Sequence, residues 1–257
     1  MDRVEVRLRF AAELRFFLPA RLRRAEVRLT HEGTSTVGHL VEAAGVPLPE
    51  VGRLAVGGRR VEPSHRPAPG ATVEVSGVER PQRAPYSPLR FVLDVHLGAL
   101  ARRLRLLGVD TAYANDLDDD ALIDQANAEQ RVLLTQDRAL LHRRSLGSGA
   151  YVRGSAPDDQ MRDVIERFVP PLAPWTRCPA CNGPVAPVDK DAIADRLEPG
   201  TRRTYDTFTQ CGSCGRLYWP GAHHDRLAGI VAAAEEIAAA ADVSQRTLFR
   251  YFPTKED

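Results

Sequence analysis

The stretch FVLDVHLGALARRLRLLGVD, residues 91–110, decides how the middle of this chain folds. Phe91-Val92-Leu93 is a short apolar run that stops at Asp94, and a second run, Val132-Leu133-Leu134-Thr135, stops two residues before Asp137. Short apolar runs bounded by polar residues read as buried strands, and helical patterns between them point to a parallel α/β sheet. Such sheets carry their working groups at the carboxyl ends of the strands, so Asp94 and Asp137 are expected at one sheet edge. Between the runs, Leu97, Leu100, Ala101, Leu104 and Leu107 recur at helical spacing, Arg102, Arg103 and Arg105 fall on the other faces, and Gly108 supplies a C-terminal cap. A second helical pattern runs from about Asp120 to Arg131, just after the acidic cluster Asp116, Asp118, Asp119 and Asp120. One of these acids can join the other two. A plainer reading stands beside it: acids at a helix start answer the helix dipole, and Asp137 caps the next helix.

Cys178-Pro-Ala-Cys181 and Cys211-Gly-Ser-Cys214 have the spacing of two zinc knuckles. A two-residue gap lets two thiolates turn onto one ion, and Gly183, Gly212 and Gly215 ease those turns. Two disulfides are disfavoured in a reducing cytosol, and the flanking pattern is wrong for a thioredoxin-like redox pair. With Cys178, Cys181, Cys211 and Cys214 as ligands the site has no open position, so the zinc is expected to be structural. The basic residues Lys190, Arg196, Arg202 and Arg203 lie in the insert 182–210 and offer either a contact surface or a solvated face. His223 and His224 lack a third ligand nearby and are read as surface or packing residues.

Taken together, VLDVHLGALARRLRLLGVDT, DDDALIDQANAEQRVLLTQD, CPAC and CGSCGRLYWPGAHH occur in an order that resembles the bacterial Mut-seven C-terminal RNase family, PIN-like nucleases followed by a zinc ribbon. The resemblance covers roughly residues 89–226. It implies that the metal-binding acids are Asp94, Asp119 and Asp137, with a fourth at Asp158 or Asp159 in the segment APDDQMRDV. It further implies a hydrolase holding Mg²⁺ or Mn²⁺ and acting on RNA phosphodiesters. Arg102, Arg103 and Arg105 are candidates to guide the anionic backbone, with a solvated helix face the expected role of at least one. The rival readings are a non-catalytic RNA- or ribosome-associated binding protein and a DNA-binding regulator acting through the tail.

Toward the amino terminus, Val4, Val6, Leu8 and Phe10 alternate with charged residues as a half-buried strand should, and Glu26-Val27-Arg28-Leu29 repeats the pattern. A helix at Thr36–Ala44, the run Leu54-Ala55-Val56, the turn Gly57-Gly58 and a strand Thr72–Val75 complete a ββαββ order. That order resembles the ubiquitin-like β-grasp of the small sulfur carriers of the ThiS and MoaD type. Those carriers end in a free Gly-Gly, whereas this chain passes through Ser76-Gly77-Val78 and continues, so an interaction or folding module with a protein partner is expected instead of carrier chemistry.

The expected organisation is therefore a β-grasp domain at 1–78, a linker at 79–88 rich in proline and charge, a PIN-like α/β domain at 89–170, a zinc ribbon at 171–226 and a tail at 227–257. The tail resembles the helix-turn-helix of tetracycline-repressor-type regulators, with a first helix at Glu236–Ala241, a turn at Asp242-Val243-Ser244 and a recognition helix at Gln245–Phe252 stopped by Pro253. It lacks the longer helices of those regulators, so it is expected to be dispensable and not to read DNA. The 257 residues are 43% hydrophobic with a net charge of +1, so any nucleic-acid binding must come from local basic surface. No apolar run approaches the roughly 20 residues of a membrane span, and the charged amino terminus is unlike a signal peptide, so a cytoplasmic location is expected.

Overall fold

The computed structural model describes residues 3–24 and 26–251. In chain order the elements are β1 (Val4–Phe10), β2 (Glu26–His31), α1 (Val37–Ala43), β3 (Val51–Val56), β4 (Arg59–Arg60), β5 (Thr72–Gly77), β6 (Phe91–Leu93), α2 (Gly98–Leu106), β7 (Thr111–Tyr113), α3 (Asp119–Ala128) and β8 (Val132–Thr135). They continue with α4 (Arg138–Leu141), β9 (Gly149–Tyr151), α5 (Pro157–Phe168), β10 (Val185–Val188), α6 (Pro199–Thr204), β11 (Phe208–Cys211), β12 (Leu217–Tyr218) and α7 (His224–Tyr251). Two compact units result: Met1–Gln82 with Thr135–Tyr151, and Arg83–Leu134 with Val152–Asp257.

The first unit is a five-stranded sheet in the order β2-β1-β5-β3-β4, with β1 and β5 parallel and the other pairs antiparallel. Alternation places Val6, Leu8 and Phe10 on one face, where they join Val73, Val75, Leu54 and the α1 residues Val37, Leu40 and Val41 in the core. Thr36 starts α1 by accepting a hydrogen bond from the His39 amide at 3.3 Å. Gly57 and Gly58 both hold positive φ, 57° and 79°, which is what the tight β3–β4 turn requires. The segment carrying α4 and β9 packs with this core, where the Tyr151 ring meets Phe16 and Phe17 at 5.3 and 5.2 Å.

In the second unit β6 runs parallel to both β7 and β8, with Leu93 opposite Tyr113 on one side and Leu134 on the other. Every side chain of β6 and β8 is buried, as expected of a parallel sheet covered on both faces. β7 was not expected, because Thr111-Ala112-Tyr113 is too short and mixed to form an apolar run. Leu100, Ala101 and Leu104 of α2 are fully buried, and Gly108 ends the helix with φ 78°. A side chain at Gly108 would strike the Ala173 carbonyl, so glycine serves there both as a cap and as a point of close approach. The ribbon is the antiparallel sheet β10-β11-β12.

The tail departs from expectation. Helix α7 runs unbroken from His224 to Tyr251, so Asp242-Val243-Ser244 is helical and no turn separates two helices there. Those three residues include neither Gly nor Pro, and each costs a helix only tenths of a kcal/mol. Phe252 and Pro253 lie outside the described residues. The beginning of α7 is also not a loose appendage: Val231, Ala234 and Ile237 are buried, and the helix packs along α5, whose inward residues are Met161, Val164, Ile165 and Phe168. Among the described residues no helix is long and apolar enough to cross a membrane.

Removing residues 227–257 is therefore expected to destabilise the second unit, by on the order of 3–6 kcal/mol for the lost Val231, Ala234 and Ile237 burial. Thermal unfolding of the truncated protein, read beside binding of a hydrophobic dye, checks this.

Candidate functional site

The four cysteines are brought together by two turns of different origin. In the first, Cys178 N–H donates to the Gly183 carbonyl at 2.8 Å and Asn182 N–H to the Cys178 carbonyl at 2.9 Å, with Asn182 in the left-handed region at φ 68°. In the second, β11 ends at Cys211, and Gly215 N–H closes the turn onto the Cys211 carbonyl at 3.0 Å. The ligand atoms of Cys178, Cys181, Cys211 and Cys214 all lie within 4.8 Å of one another, and among the described residues they form the group suited to a metal ion. Cys178 and Cys211 are buried while Cys181 and Cys214 are exposed. A Cβ at Gly183 would lie 3.1 Å from Cys211 Sγ, so the turn must stay bare for the sulfurs to converge. The donor set fits a closed four-thiolate site.

The sulfurs are not electrostatically equivalent. Burial opposes ionisation of Cys178, but the Tyr218 hydroxyl, 2.8 Å away, and the backbone amides of Cys181 and Ala180 outweigh it and bring the thiol down to about 6. Cys181, though its residue is exposed at the surface, has its thiol turned in among the others and is pushed up to about 12, by desolvation first and by the neighbouring thiols next. Tyr218 itself is pushed up by burial and by Cys178. A metal-free cluster therefore keeps protons that a bound ion must displace.

A partly buried ionic network ties this knuckle to the α/β core. Asp110, in the loop after α2, accepts hydrogen bonds from Arg131 Nη1 at 2.6 Å, Asn182 Nδ2 at 2.9 Å and Arg177 Nη2 at 3.2 Å. Burial raises its carboxyl, but Arg131, Asn182 and Arg177 together hold it below the usual range. The Asn182 side-chain oxygen accepts from Thr111 N–H at 3.1 Å, completing the bridge between the two segments. Arg105, expected on a solvent face of α2, is instead buried, with 3% of its surface exposed. Its guanidinium donates to Thr111 O at 2.8 Å, Ala180 O at 2.9 Å and Pro179 O at 3.2 Å, so it docks the first knuckle and is not available to a nucleic-acid backbone. Amphipathic spacing missed this because a long side chain can cross under a helix to reach carbonyls that are distant in sequence. Arg196 of the insert likewise donates to Gly215 O at 2.7 Å, and Lys190 pairs with Asp206 at 2.6 Å. His224 stacks on Trp175 with centroids 5.2 Å apart, a packing role.

The candidate acids are placed as follows. Asp94 sits directly after β6, the strand between β7 and β8, and is 6% exposed. Its amide donates to Leu134 O at 3.0 Å and its carbonyl accepts from Leu97 N–H at 2.9 Å, which pins the residue at the strand end. Asp119 is the exposed first residue of α3, and its neighbour Asp118 is the true cap, accepting from Ala121 N–H at 2.8 Å. Asp158, exposed in the first turn of α5, pairs with Arg103 at 2.7 Å, and Asp159 follows it. Asp94, Asp119 and Asp158 do not form a group with ligand atoms mutually within 4.8 Å. Asp137 belongs to the first unit and caps α4, accepting from Ala139 N–H at 2.7 Å. The capping expectation thus holds for Asp137, and the acids at 116–120 include a helix start, with Asp118 as its cap.

Zinc affinity is expected to fall as pH falls, and more steeply once the pH drops below the Cys178 value of about 6, because each added proton then competes with the ion. Zinc retention against a chelator between mild alkali and mild acid measures this. For Asp110, whose folded value is depressed, the stabilising contribution is present above the ordinary carboxylate range and is lost as pH falls through the folded value. Asp110→Ala is expected to cost on the order of 2 kcal/mol, since the buried Arg131 keeps only part of its pairing, and denaturant unfolding checks it.

Comparison with protein-family models gives three matches: the Mut7-C RNAse domain over residues 89–231, the Mut7-C ubiquitin over residues 3–83, and bacterial regulatory proteins of the tetR family over residues 229–257. Comparisons with curated proteins and with solved structures each return no match. The first match spans more than half of the chain and encloses Asp94, the Asp110 network and all four cysteines, and the chain belongs to the Mut7-C RNAse domain family.

Proposed function

We propose that this protein is a ribonuclease that hydrolyses RNA phosphodiester bonds with Mg²⁺ or Mn²⁺, and that its four cysteines hold one structural zinc. The observation that carries the nuclease reading is Asp94, a carboxylate with 6% exposure at the carboxyl end of the central parallel strand of an RNase-family domain. Aspartates are seldom this buried, and the ends of parallel strands are where α/β sheets bind ligands. Asp119, Asp137 and Asp158 are the further acids that the family resemblance supplies, with Asp159 the alternative to Asp158. Carboxylate oxygens suit hard divalent ions. Mg²⁺ commonly takes only one or two carboxylates and fills its shell with water and substrate phosphate, so acids outside a tight cage remain compatible with it.

A bound Mg²⁺ or Mn²⁺ would supply charge to the phosphate oxygens and acidify a water molecule. The protein's own part is to hold the acids. Backbone hydrogen bonds to Leu134 and Leu97 fix Asp94 at its strand end, and Arg103 steadies Asp158. Arg102, exposed on α2, is left to meet the anionic backbone. The thiols of the cysteine cluster suit a reducing compartment, which supports a cytoplasmic location.

Asp94→Asn keeps the shape and removes the charge. Loss of one anionic ligand worth ~3 kcal/mol would cut cleavage more than a hundredfold. Purified wild type and variant, assayed on single- and double-stranded RNA and DNA with Mg²⁺ or Mn²⁺, provide the test. Equal rates would remove Asp94 from the site, and wild-type protein that binds RNA but cleaves none with either ion would leave a binding protein.

A further inference from the structure

We infer that the β-grasp module is a positioning element for the acid Asp137, acting through Arg138 as the positioning residue; this rests on the nuclease reading above. The first unit contains Thr135–Tyr151, so the segment that carries the exposed Asp137 packs with the β-grasp core and is not merely joined to it along the chain. Asp137 caps α4, accepting from Ala139 N–H at 2.7 Å, while its own amide donates to Thr135 Oγ1 at 2.8 Å. The conformation of Asp137 is thus set by where α4 begins.

What fixes α4 is the amino-terminal module. Arg138, the next residue, donates from Nη1 to Phe17 O at 3.0 Å and from Nη2 to Phe16 O at 3.2 Å. Its guanidinium also lies 4.6 Å from the centre of the Phe16 ring and 5.5 Å from that of Phe17. One planar cation is therefore held by two carbonyls and two ring faces at once, a geometry suited to Arg and not to Lys. At the far end of the segment Tyr151 N–H donates to Glu50 Oε1 at 2.8 Å, and Glu50 is 2% exposed. Tyr151 closes the same aromatic cluster, and His142 lies 3.7 Å from Glu42 of α1. The segment is clamped at its start, middle and end by β-grasp residues.

Phe16 explains itself in this light. It remains 43% exposed, which is unusual for a large aromatic at a packed junction, yet its ring supports Arg138 and its carbonyl receives one of the two hydrogen bonds. The role assigned to the β-grasp module is accordingly intramolecular. Supporting residues behind metal-binding acids act by fixing ligand orientation, and their loss typically weakens metal affinity by about 10- to 100-fold.

The test uses the full-length protein loaded with zinc, titrated with Mn²⁺ and followed by the loss of the free-Mn²⁺ electron paramagnetic resonance signal, beside RNA cleavage. Arg138→Ala is expected to weaken Mn²⁺ binding about tenfold and to raise the Mn²⁺ concentration needed for cleavage, with zinc content unchanged. Phe16→Ala is expected to do the same to a lesser degree, and Phe16→Tyr, which keeps the ring, to behave as wild type. This pair decides the matter should Arg138→Ala fail to fold. Wild-type Mn²⁺ affinity in folded Arg138→Ala or Phe16→Ala, with Asp137→Asn impaired in binding and cleavage, would overturn the positioning role alone. Undiminished binding and cleavage in Asp137→Asn would instead overturn the assignment of Asp137 on which the inference stands.

Discussion

The carboxylate of Asp110 is the interaction on which the second unit depends. It receives Arg131 from just before β8, Arg177 from the approach to the first knuckle, and Asn182 from the knuckle itself. A buried ion pair is a weak source of net stability, because desolvation consumes much of the attraction. Here the pairs are partly exposed, and their contribution is directional: Asp110 joins the knuckle and the core through three donors, of which Arg131 is the buried one. Arg105 enforces the same placement by neutral means, through three carbonyls.

This arrangement also bears on the cysteines. An ion held by four thiolates carries net negative charge, and the buried Arg105 guanidinium interacts with both Cys178 and Cys181. The cluster is therefore coupled electrostatically to α2, the helix that begins four residues after Asp94. Core helix, strand end and ribbon form one construction, and α7 adds its apolar face along α5.

The first unit follows a different physical logic. Its sheet is held by alternation and register, and the segment Thr135–Tyr151 is added to it by carbonyl-to-guanidinium hydrogen bonds and ring contacts beside the buried Leu140, Leu141 and Ala150. Polar attachment of this kind fixes orientation at modest net energy, since each hydrogen bond replaces one to water and hydrogen bonds to charged groups are the stronger ones.

Local chemistry was enough for much of this protein. The period-two alternation of Val4–Phe10, the apolar runs that end at Asp94 and Asp137, the helical spacing of Leu97–Leu107 and the paired CxxC turns each depend on a few neighbouring residues, and each appears in the structure. Tertiary structure decided what depends on distant partners. Arg105 and Arg102 look alike on a helical projection, yet carbonyls of residues 111, 179 and 180 bury one of them. β7 exists because β6 offers it a parallel edge, and not because Thr111-Ala112-Tyr113 has a pattern of its own. The helix-turn-helix resemblance of the tail was local, and among the described residues one uninterrupted helix runs to Tyr251, packed along α5 and with Val231, Ala234 and Ile237 buried. Spacing along a chain reports what a residue can face; only the fold supplies the carbonyl, ring or carboxylate that it meets.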